Sequence, residues 1–303
     1  RIESLLAIRK LHDEYGHIQE IIVQNFRAKE NTKMAQAPEP DLDELLWTLA
    51  VARLIFGAEM NIQAPPNLSP GVLAQLIDAG INDWGGVSPL TPDHVNPEGF
   101  ARRDNWLSGS HRPMPTLDHD LISDHHINHA ADARIVAIIE SCKQGQAPSV
   151  DDVAYLFSAR GNDFTYVCQQ ADALRQASKG DTVSYVVNRN INYTNVCYFN
   201  CRFCAFSKGK QHEDLRGKPY DLSADEIVRR CQEAWQRGAT EVCMQGGIHP
   251  DYTGQTYIDI VETVKQAVPE MHVHAFSPLE VWQGAATANL TLDEFLQQLQ
   301  KAG

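Results

Sequence analysis

The chain has 303 residues, of which 43% are hydrophobic and 21% charged, and this composition excludes a disordered, collagen-like or coiled-coil protein. Acidic residues outnumber basic ones by 39 to 26, so the net charge is −13. A field of that sign repels phosphate backbones and anionic lipids, and no apolar stretch approaches the ~20 residues that span a bilayer. We therefore expect neither nucleic acid nor membrane as a partner.

The first 90 residues alternate helix and strand patterns. Strands are predicted over residues 20–25, 60–63 and 81–87. Helices are predicted before Gly16, between Asp41 and Gly57, and over residues 69–79. This βαβαβ order predicts a parallel sheet.

Residues 99–181 show a different pattern, which we interpret as a linker with helices near 131–145 and 151–178. The segment is rich in histidine, and its pair His125 and His129 would share one face of a helix and could bind a metal. Solvated linker histidines are the favoured interpretation. The five histidines are His111, His119, His125, His126 and His129.

From Thr182 onward the alternation resumes. Strands are predicted over 183–187, 240–244 and 271–276, with a helix over 255–267. Two further helices are predicted to begin with capping boxes, one formed by Ser223 with Glu226 and one by Thr291 with Glu294. Neither βα array has the ~250 residues of a complete eight-stranded barrel.

Three of the seven cysteines lie within eight residues, as a C-x3-C-x2-C motif formed by Cys197, Cys201 and Cys204. An odd count with such clustering indicates a reducing compartment and a metal or redox site. Three thiolates can hold three irons of a 4Fe–4S cluster, which leaves the fourth iron open to another ligand. Core packing is the expected role of the other four, Cys142, Cys168, Cys231 and Cys243.

A structural zinc site is the alternative. Such sites usually have four Cys or His ligands in two pairs. The nearest candidate, His212, has no paired ligand.

The cysteine motif resembles that of the radical S-adenosylmethionine (SAM) superfamily. The resemblance implies that the open iron binds SAM, that Phe203 packs near its adenine, and that Gln245, Gly246 and Gly247 bind its methionine group. Glycines permit close approach at a strand end. The superfamily's partial or complete (β/α) barrel agrees with the predicted alternation.

Longer segments resemble the FO synthase family, whose members make the deazaflavin chromophore FO. Residues 188–195, 204–206, 243–250 and 272–280 resemble the tyrosine-cleaving half of these enzymes. Residues 23–29, 61–68 and 81–88 resemble the cyclising half.

The resemblance implies an α/β fold with two partial radical SAM (β/α) barrels joined by a helical linker. Residues 1–98 would be the end of the cyclising barrel, 99–181 the linker and helices, and 182–303 the start of the hydroxyphenyl transferase barrel with the 4Fe–4S motif.

The resemblance also implies a reaction. A reduced cluster would cleave SAM to a 5′-deoxyadenosyl radical, which would attack L-tyrosine. The hydroxybenzyl fragment would be transferred to 5-amino-6-(D-ribitylamino)uracil, and the cyclising half would close the ring with loss of ammonia. An external electron donor is required.

Polar residues near strand ends of the N-terminal half could bind the substrate, although strand capping is an equally good interpretation. These residues are Gln24, Asn25, Arg27, Asn61, Gln63, Asn82 and Asp83. Candidates for acid–base catalysis are His272, His274 and Glu280, with core packing as the alternative for the histidines.

Two other functions stay open at this point. One is a radical SAM enzyme of the menaquinone-pathway type, and the other is a non-catalytic metal-binding module.

The chain begins at Arg1, shows no signal-peptide pattern and ends just after a helical pattern. We interpret it as a fragment that does not turn over alone. We expect a cytoplasmic location, or an organelle stroma if a targeting segment precedes Arg1.

Overall fold

The computed structural model describes residues 1–28, 33–88, 131–199, 201, 204 and 219–303. Within these residues the chain forms two compact units. The first unit contains residues 1–27, 39–85 and 131–185, and the second contains residues 28, 33–38, 86–88, 186–199, 201, 204 and 219–303.

The first unit combines parallel strands with helices. β1 pairs with β2 through Glu20 and Asn61, and β2 pairs with β3 through Gln63 and Asp83, both in parallel. The elements are α1 (Ile2–Tyr15), β1 (Glu20–Ile22), α2 (Leu42–Phe56), β2 (Asn61–Gln63), a 3₁₀ turn (Pro66–Leu68), α3 (Leu73–Asp78), β3 (Asp83–Val87), α4 (Ala133–Lys143), α5 (Val150–Leu156) and α6 (Asn162–Lys179).

Helix α2 forms the centre of the first unit. Its N-cap Asp41 accepts a hydrogen bond from the Glu44 N–H at 2.8 Å, and Gly57 ends the helix with a φ of 79°, as predicted. Nearly every side chain of α2 is buried, which is typical of a helix covered on all sides. Trp47 packs edge-on against Phe164 of α6, with ring centroids 4.9 Å apart.

The helices predicted as part of a linker share this core. Ile135 and Ile139 of α4, Leu156 of α5 and Val167 of α6 are buried in the same cluster as α2. The single helix predicted over 151–178 is two helices, because the residues between α5 and α6 include Gly161 with a φ of 55°. The sequence thus predicted these helices but not their packing partner.

The second unit is also α/β with parallel strands. β4 pairs with β5 and β5 with β6. The elements are β4 (Ser184–Asn192), α7 (Ala224–Gln236), β5 (Glu241–Gln245), α8 (Gly254–Ala267), β6 (His272–His274), α9 (Pro278–Ala288) and α10 (Leu292–Ala302). The predicted α/β class and parallel strands are therefore confirmed, whereas the division into two partial barrels stays a prediction.

Strand β4 is longer than predicted. It continues to Asn192, and its side chains alternate between two faces. On the face that carries Arg189 and Ile191, Ile191 is fully buried and Arg189 bonds to Glu233 of α7 at 2.9 Å. Asn188, Asn190 and Asn192 belong to the opposite face, because side chains alternate along a strand. The sequence predicted this strand only over residues 183–187.

The two predicted capping boxes differ. At α10, Thr291 and Glu294 make both reciprocal hydrogen bonds. At α7, Ser223 accepts from the Glu226 N–H, but the Glu226 carboxylate bonds instead to Arg229 and Arg230, each at 2.8 Å. In the part of the chain that the structure describes, no helix is long and apolar enough to cross a membrane.

Candidate functional site

The cysteine motif lies in the loop beyond the carboxyl end of β4. Cys197 and Cys204 are half-buried and Cys201 is exposed, and the Cys204 N–H donates to the Cys201 carbonyl at 3.4 Å. Three partly accessible thiols in one loop fit the donor set of an iron–sulfur cluster. Buried Cys231 in α7 contrasts with them, because burial raises the pKa of its thiol to about 11, and it fits the predicted core role.

Hydrogen bonds fix the chain before and after the cysteine motif. The Tyr220 N–H donates to the Asn195 Oδ1 at 2.8 Å, and the Thr194 hydroxyl donates to the Tyr220 carbonyl at 2.9 Å. Asp221 forms a bridge with Thr194 and accepts a hydrogen bond from the Tyr252 hydroxyl. Thr194, Asn195, Tyr220 and Asp221, named here the loop clamp, were not singled out as site residues from the sequence.

The glycine pair after β5 packs directly against this loop. The Gly247 N–H donates to the Thr194 carbonyl at 2.8 Å, and the Tyr198 N–H donates to the Ile248 carbonyl at 3.1 Å. A Cβ on Gly247 would lie 2.2 Å from the Val196 oxygen and 2.9 Å from the Cys197 Cβ. The sequence analysis explained the glycines by close approach at a strand end. In the structure, the group that approaches Gly247 closely is the cysteine loop itself.

Glu280 is buried beneath the same glycines. Its carboxylate accepts hydrogen bonds from the Gly246 N–H at 3.0 Å, from the Ser277 N–H at 2.7 Å and from the Tyr193 hydroxyl. The side chain therefore begins α9 through a capping box and also holds the segment after β5. This placement makes Glu280 a positioning residue for Gly246.

Tyr193 connects Glu280 to the base of the cysteine loop. Burial first, and then the neighbouring Glu280 carboxylate, raise the pKa of Tyr193 well above its ordinary value. A Cβ on Gly246 would lie only 2.3 Å from the nearest carbon of the Tyr193 ring. Tyr193 also stacks on Tyr252, which in turn stacks on His249 with centroids 4.7 Å apart. This aromatic packing gives the loop and the glycines a rigid base.

His272 and His274 meet a carboxylate that the sequence did not indicate. The His272 Nδ1 lies 2.9 Å from Glu241 Oε2, the His274 Nδ1 lies 3.7 Å from Glu241 Oε1, and the Asn188 amide donates to Oε1 at 3.4 Å. Burial opposes ionisation of Glu241, but hydrogen bonds from His274, His272 and Asn188 outweigh it and lower the pKa of the carboxyl to about 2. Glu241 and His272 begin their strands, at the end opposite to the glycine pair.

In the first unit, two predicted substrate residues belong to a buried network around Arg53. The Asn82 Oδ1 accepts from the Arg53 guanidinium at 2.5 Å and from the Ile62 N–H at 3.0 Å, and its amide donates to Asn61 at 2.9 Å. Arg53 is fully buried and also donates to the Gly80 and Met60 carbonyls. These contacts are those of strand-capping amides, the alternative interpretation that the sequence left open.

Of the other predicted substrate residues of the first unit, Gln24, Asn25 and Arg27 follow β1, Gln63 ends β2 and Asp83 begins β3. Gln24 is exposed, Asn25 donates to the Leu68 carbonyl at 3.2 Å, and Arg27 pairs with Glu39 at 3.4 Å. Asp83 accepts from the Gly85 N–H at 2.7 Å, and the Gln63 Oε1 lies where a Cβ on Gly85 would be. Their substrate-binding role stays a prediction.

Some predicted residues lie outside the described residues. These are Phe203, His212 and the five histidines of the segment 111–129. Among the residues that are described, no three Cys, His, Asp or Glu side chains converge where one metal ion could bind. A four-iron cluster is held differently, since each thiolate binds its own iron.

Comparison with known proteins agrees with this geometry. Residues 191–303, which contain the end of β4, the cysteine loop, the glycine pair and Glu280, match the Radical SAM superfamily. This part of the chain thus matches a radical SAM domain, and that superfamily implies a 4Fe–4S cluster and SAM.

The whole chain is similar to proteins named FO synthase. It is 37% identical to that of Streptomyces coelicolor over 394 residues and 38% identical to that of Mycobacterium leprae over 400 residues, which covers all of this chain and 45% of each relative. Half of the chain is 38% identical to 41% of the 5-amino-6-(D-ribitylamino)uracil–L-tyrosine 4-hydroxyphenyl transferase of Methanothermobacter thermautotrophicus. The chain thus spans a little under half the length of these relatives.

Proposed function

We propose that this chain is a central portion of an FO synthase, which joins the hydroxybenzyl group of L-tyrosine to 5-amino-6-(D-ribitylamino)uracil and cyclises the product. The contact of the three-cysteine loop with the glycine pair carries the proposal. It brings thiolate donors and the backbone of Gly246 and Gly247 together beyond the carboxyl ends of β4 and β5, where (β/α) enzymes place their active sites.

Each part of this site has a separate role. Cys197, Cys201 and Cys204 would hold the 4Fe–4S cluster, and Gln245, Gly246 and Gly247 would bind the methionine group of SAM, with Phe203 near its adenine. A bound cluster supplies the electron that cleaves SAM reductively, and an external donor replenishes it. Glu280 holds the Gly246 N–H through its carboxylate, so the glycine segment keeps its position when ligands bind.

The domain assignment is part of the proposal. Residues 1–98 would close the cyclising barrel, residues 182–303 would begin the transferase barrel, and residues 99–181 would link them. Similarity along the entire chain supports this arrangement over a menaquinone-type radical SAM enzyme, because it includes the N-terminal half.

Anaerobic reconstitution tests the proposal. We expect the chain to bind about four irons, and the electron paramagnetic resonance spectrum of the reduced cluster to change when SAM is added. Cys201→Ala should abolish stable cluster binding, whereas the buried control Cys231→Ala should retain it. Zinc in place of iron, or a Cys201→Ala variant with the full iron content, would contradict the assignment.

Turnover tests the substrates. We expect the longer protein that contains this segment to convert L-tyrosine and the ribitylaminouracil into fluorescent FO, and the 303-residue chain alone to form none. FO formation by the chain alone would refute the second expectation.

A further inference from the structure

One face of the second unit's sheet is mainly polar where its three strands pair. Ile191, Val242 and Met244 are fully buried against the helices, so the residues that alternate with them project from the opposite face. The parallel register aligns these polar residues in rows across the strands. They are Asn188, Asn190 and Asn192 of β4, Glu241, Cys243 and Gln245 of β5, and His272 and His274 of β6.

The polar face has two ends of different chemistry. Gln245 at the carboxyl end leads into the glycine pair and the cysteine loop. Glu241 lies four residues earlier, about 13 Å away along the strand. At that distance Glu241 is too far to contact the cluster or the methionine group. If Glu241 binds a ligand, it therefore contacts a different part of that ligand.

The amino end of the polar face combines a nearly buried carboxylate with two exposed histidines. Glu241 is only 11% exposed at its side chain, whereas His272 and His274 are 70% and 51% exposed. Because the ionised Glu241 can only accept, the Nδ1 of His272 donates to it, and the Nε2 lies on the exposed part of the same ring. An ionised carboxylate beside two exposed imidazole rings is suited to vicinal hydroxyl groups, because each hydroxyl can both donate and accept a hydrogen bond.

We propose that Asn188, Glu241, His272 and His274 form a polyol subsite that binds the ribityl chain of the aminouracil substrate. The inference rests on the proposed function for the identity of its ligand. An extended ribityl chain attached to a pyrimidine has about the reach needed for the ring to lie toward the glycine pair while the chain hydroxyls reach Glu241. The cluster residues and the polyol subsite would thus bind opposite ends of the reacting pair.

Binding of two probes by calorimetry tests the subsite. The chain is titrated anaerobically with 5-amino-6-(D-ribitylamino)uracil and with 5,6-diaminouracil, which has the ring but no ribityl chain. We expect the ribityl compound to bind more tightly. Glu241→Gln should weaken it at least about tenfold while leaving the affinity for 5,6-diaminouracil unchanged, since only the chain contacts the carboxylate.

Two further variants complete the test. His272→Gln changes a mostly exposed side chain, so it should fold normally and still reduce the preference for the ribityl compound. Glu262→Gln makes the same chemical change as Glu241→Gln on an exposed position of α8 and should change neither affinity. Circular dichroism and thermal unfolding report whether each variant is folded.

The outcomes separate this inference from the proposed function. Equal loss of both probes in Glu241→Gln, or no preference of the unsubstituted chain for the ribityl compound, would overturn the subsite. Cluster binding and the SAM-dependent spectral change do not involve Glu241, so they can succeed while the subsite fails. Conversely, ribityl binding that depends on Glu241 in a chain that holds no cluster would overturn the proposed function alone.

Discussion

The two units begin their strands with comparable polar residues but bond them differently. In the first unit, Asn61 and Asn82 bond to each other, and Asn82 also bonds to the fully buried Arg53, so their hydrogen-bonding groups are directed into the protein. In the second unit, Glu241 bonds to histidines whose rings lie mostly in solvent. A polar residue at the start of a strand is therefore a binding candidate only when its partners leave polar groups exposed.

The largest effect expected from this comparison is on the Arg53 network. Arg53→Met leaves the Gly80 and Met60 carbonyls buried without this donor and leaves the Asn82 Oδ1 with the Ile62 N–H alone. We expect the free energy of unfolding of the first unit to fall by about 3–5 kcal/mol. Hydrogen exchange of its core amides measures this loss.

The matched control for that variant is Arg134→Met. Arg134 is half-exposed and lies 3.7 Å from Asp152, an ion pair that contributes roughly 0–1 kcal/mol. If Arg53→Met costs no more than Arg134→Met, the strand-start amides of the first unit are not held by a structural network, and the contrast between the units disappears.

A smaller effect is expected at the glycine pair of the second unit. Gly246→Ala places a Cβ 2.3 Å from the buried Tyr193 ring, so we expect a stability loss of about 2–3 kcal/mol and SAM affinity at least about tenfold lower. Equilibrium denaturation and SAM titration of the reconstituted protein measure the two quantities.

Gly238→Ala separates steric overlap from backbone strain. Gly238 has a φ of 84°, but a Cβ there would meet no atom within 4 Å. We expect this control to cost about 1 kcal/mol through strain alone and to leave SAM affinity unchanged. Equal SAM affinities of the Gly246→Ala and Gly238→Ala proteins would show that Gly246 has no special role.

The smallest effect concerns the acid stability of the polar face. The folded-state pKa of Glu241 is about 2, below its ordinary 4.5, so its stabilising contribution is complete above pH 4.5 and is lost as the pH falls toward 2. We expect roughly 1–2 kcal/mol, discounted because the histidine partners are largely exposed to water.

Unfolding of the native chain and of Glu241→Gln at several pH values measures that contribution. The difference in unfolding free energy between the two proteins should be largest above pH 4.5 and shrink below it. A difference independent of pH would show that Glu241 is not held ionised by its neighbours, and would remove the basis for an acceptor site.

Much of this arrangement could be predicted from local sequence. Asp41 and Gly57 bound α2 because capping and left-handed glycine are local effects, and the cysteine spacing indicated its own loop. The length of β4 could not be predicted, since the polarity of Asn188 and Asn190 masked an alternation that only the sheet explains. The hydrogen bonds from Asn188 to Glu241 and from Gly246 to Glu280 likewise join residues far apart in the chain, and a single sequence carries no signal for them.

The loop clamp has a consequence for how the protein acquires and loses its cluster. Its bonds run between Thr194, Asn195, Tyr220 and Asp221 and use neither a thiol nor a metal. We therefore expect the stem that presents the cysteines to fold before iron binds, unlike a zinc finger that is unfolded without its ion. Chelation or air oxidation should therefore yield an inactive but folded protein. A new cluster could then be inserted into that protein without its being synthesised again.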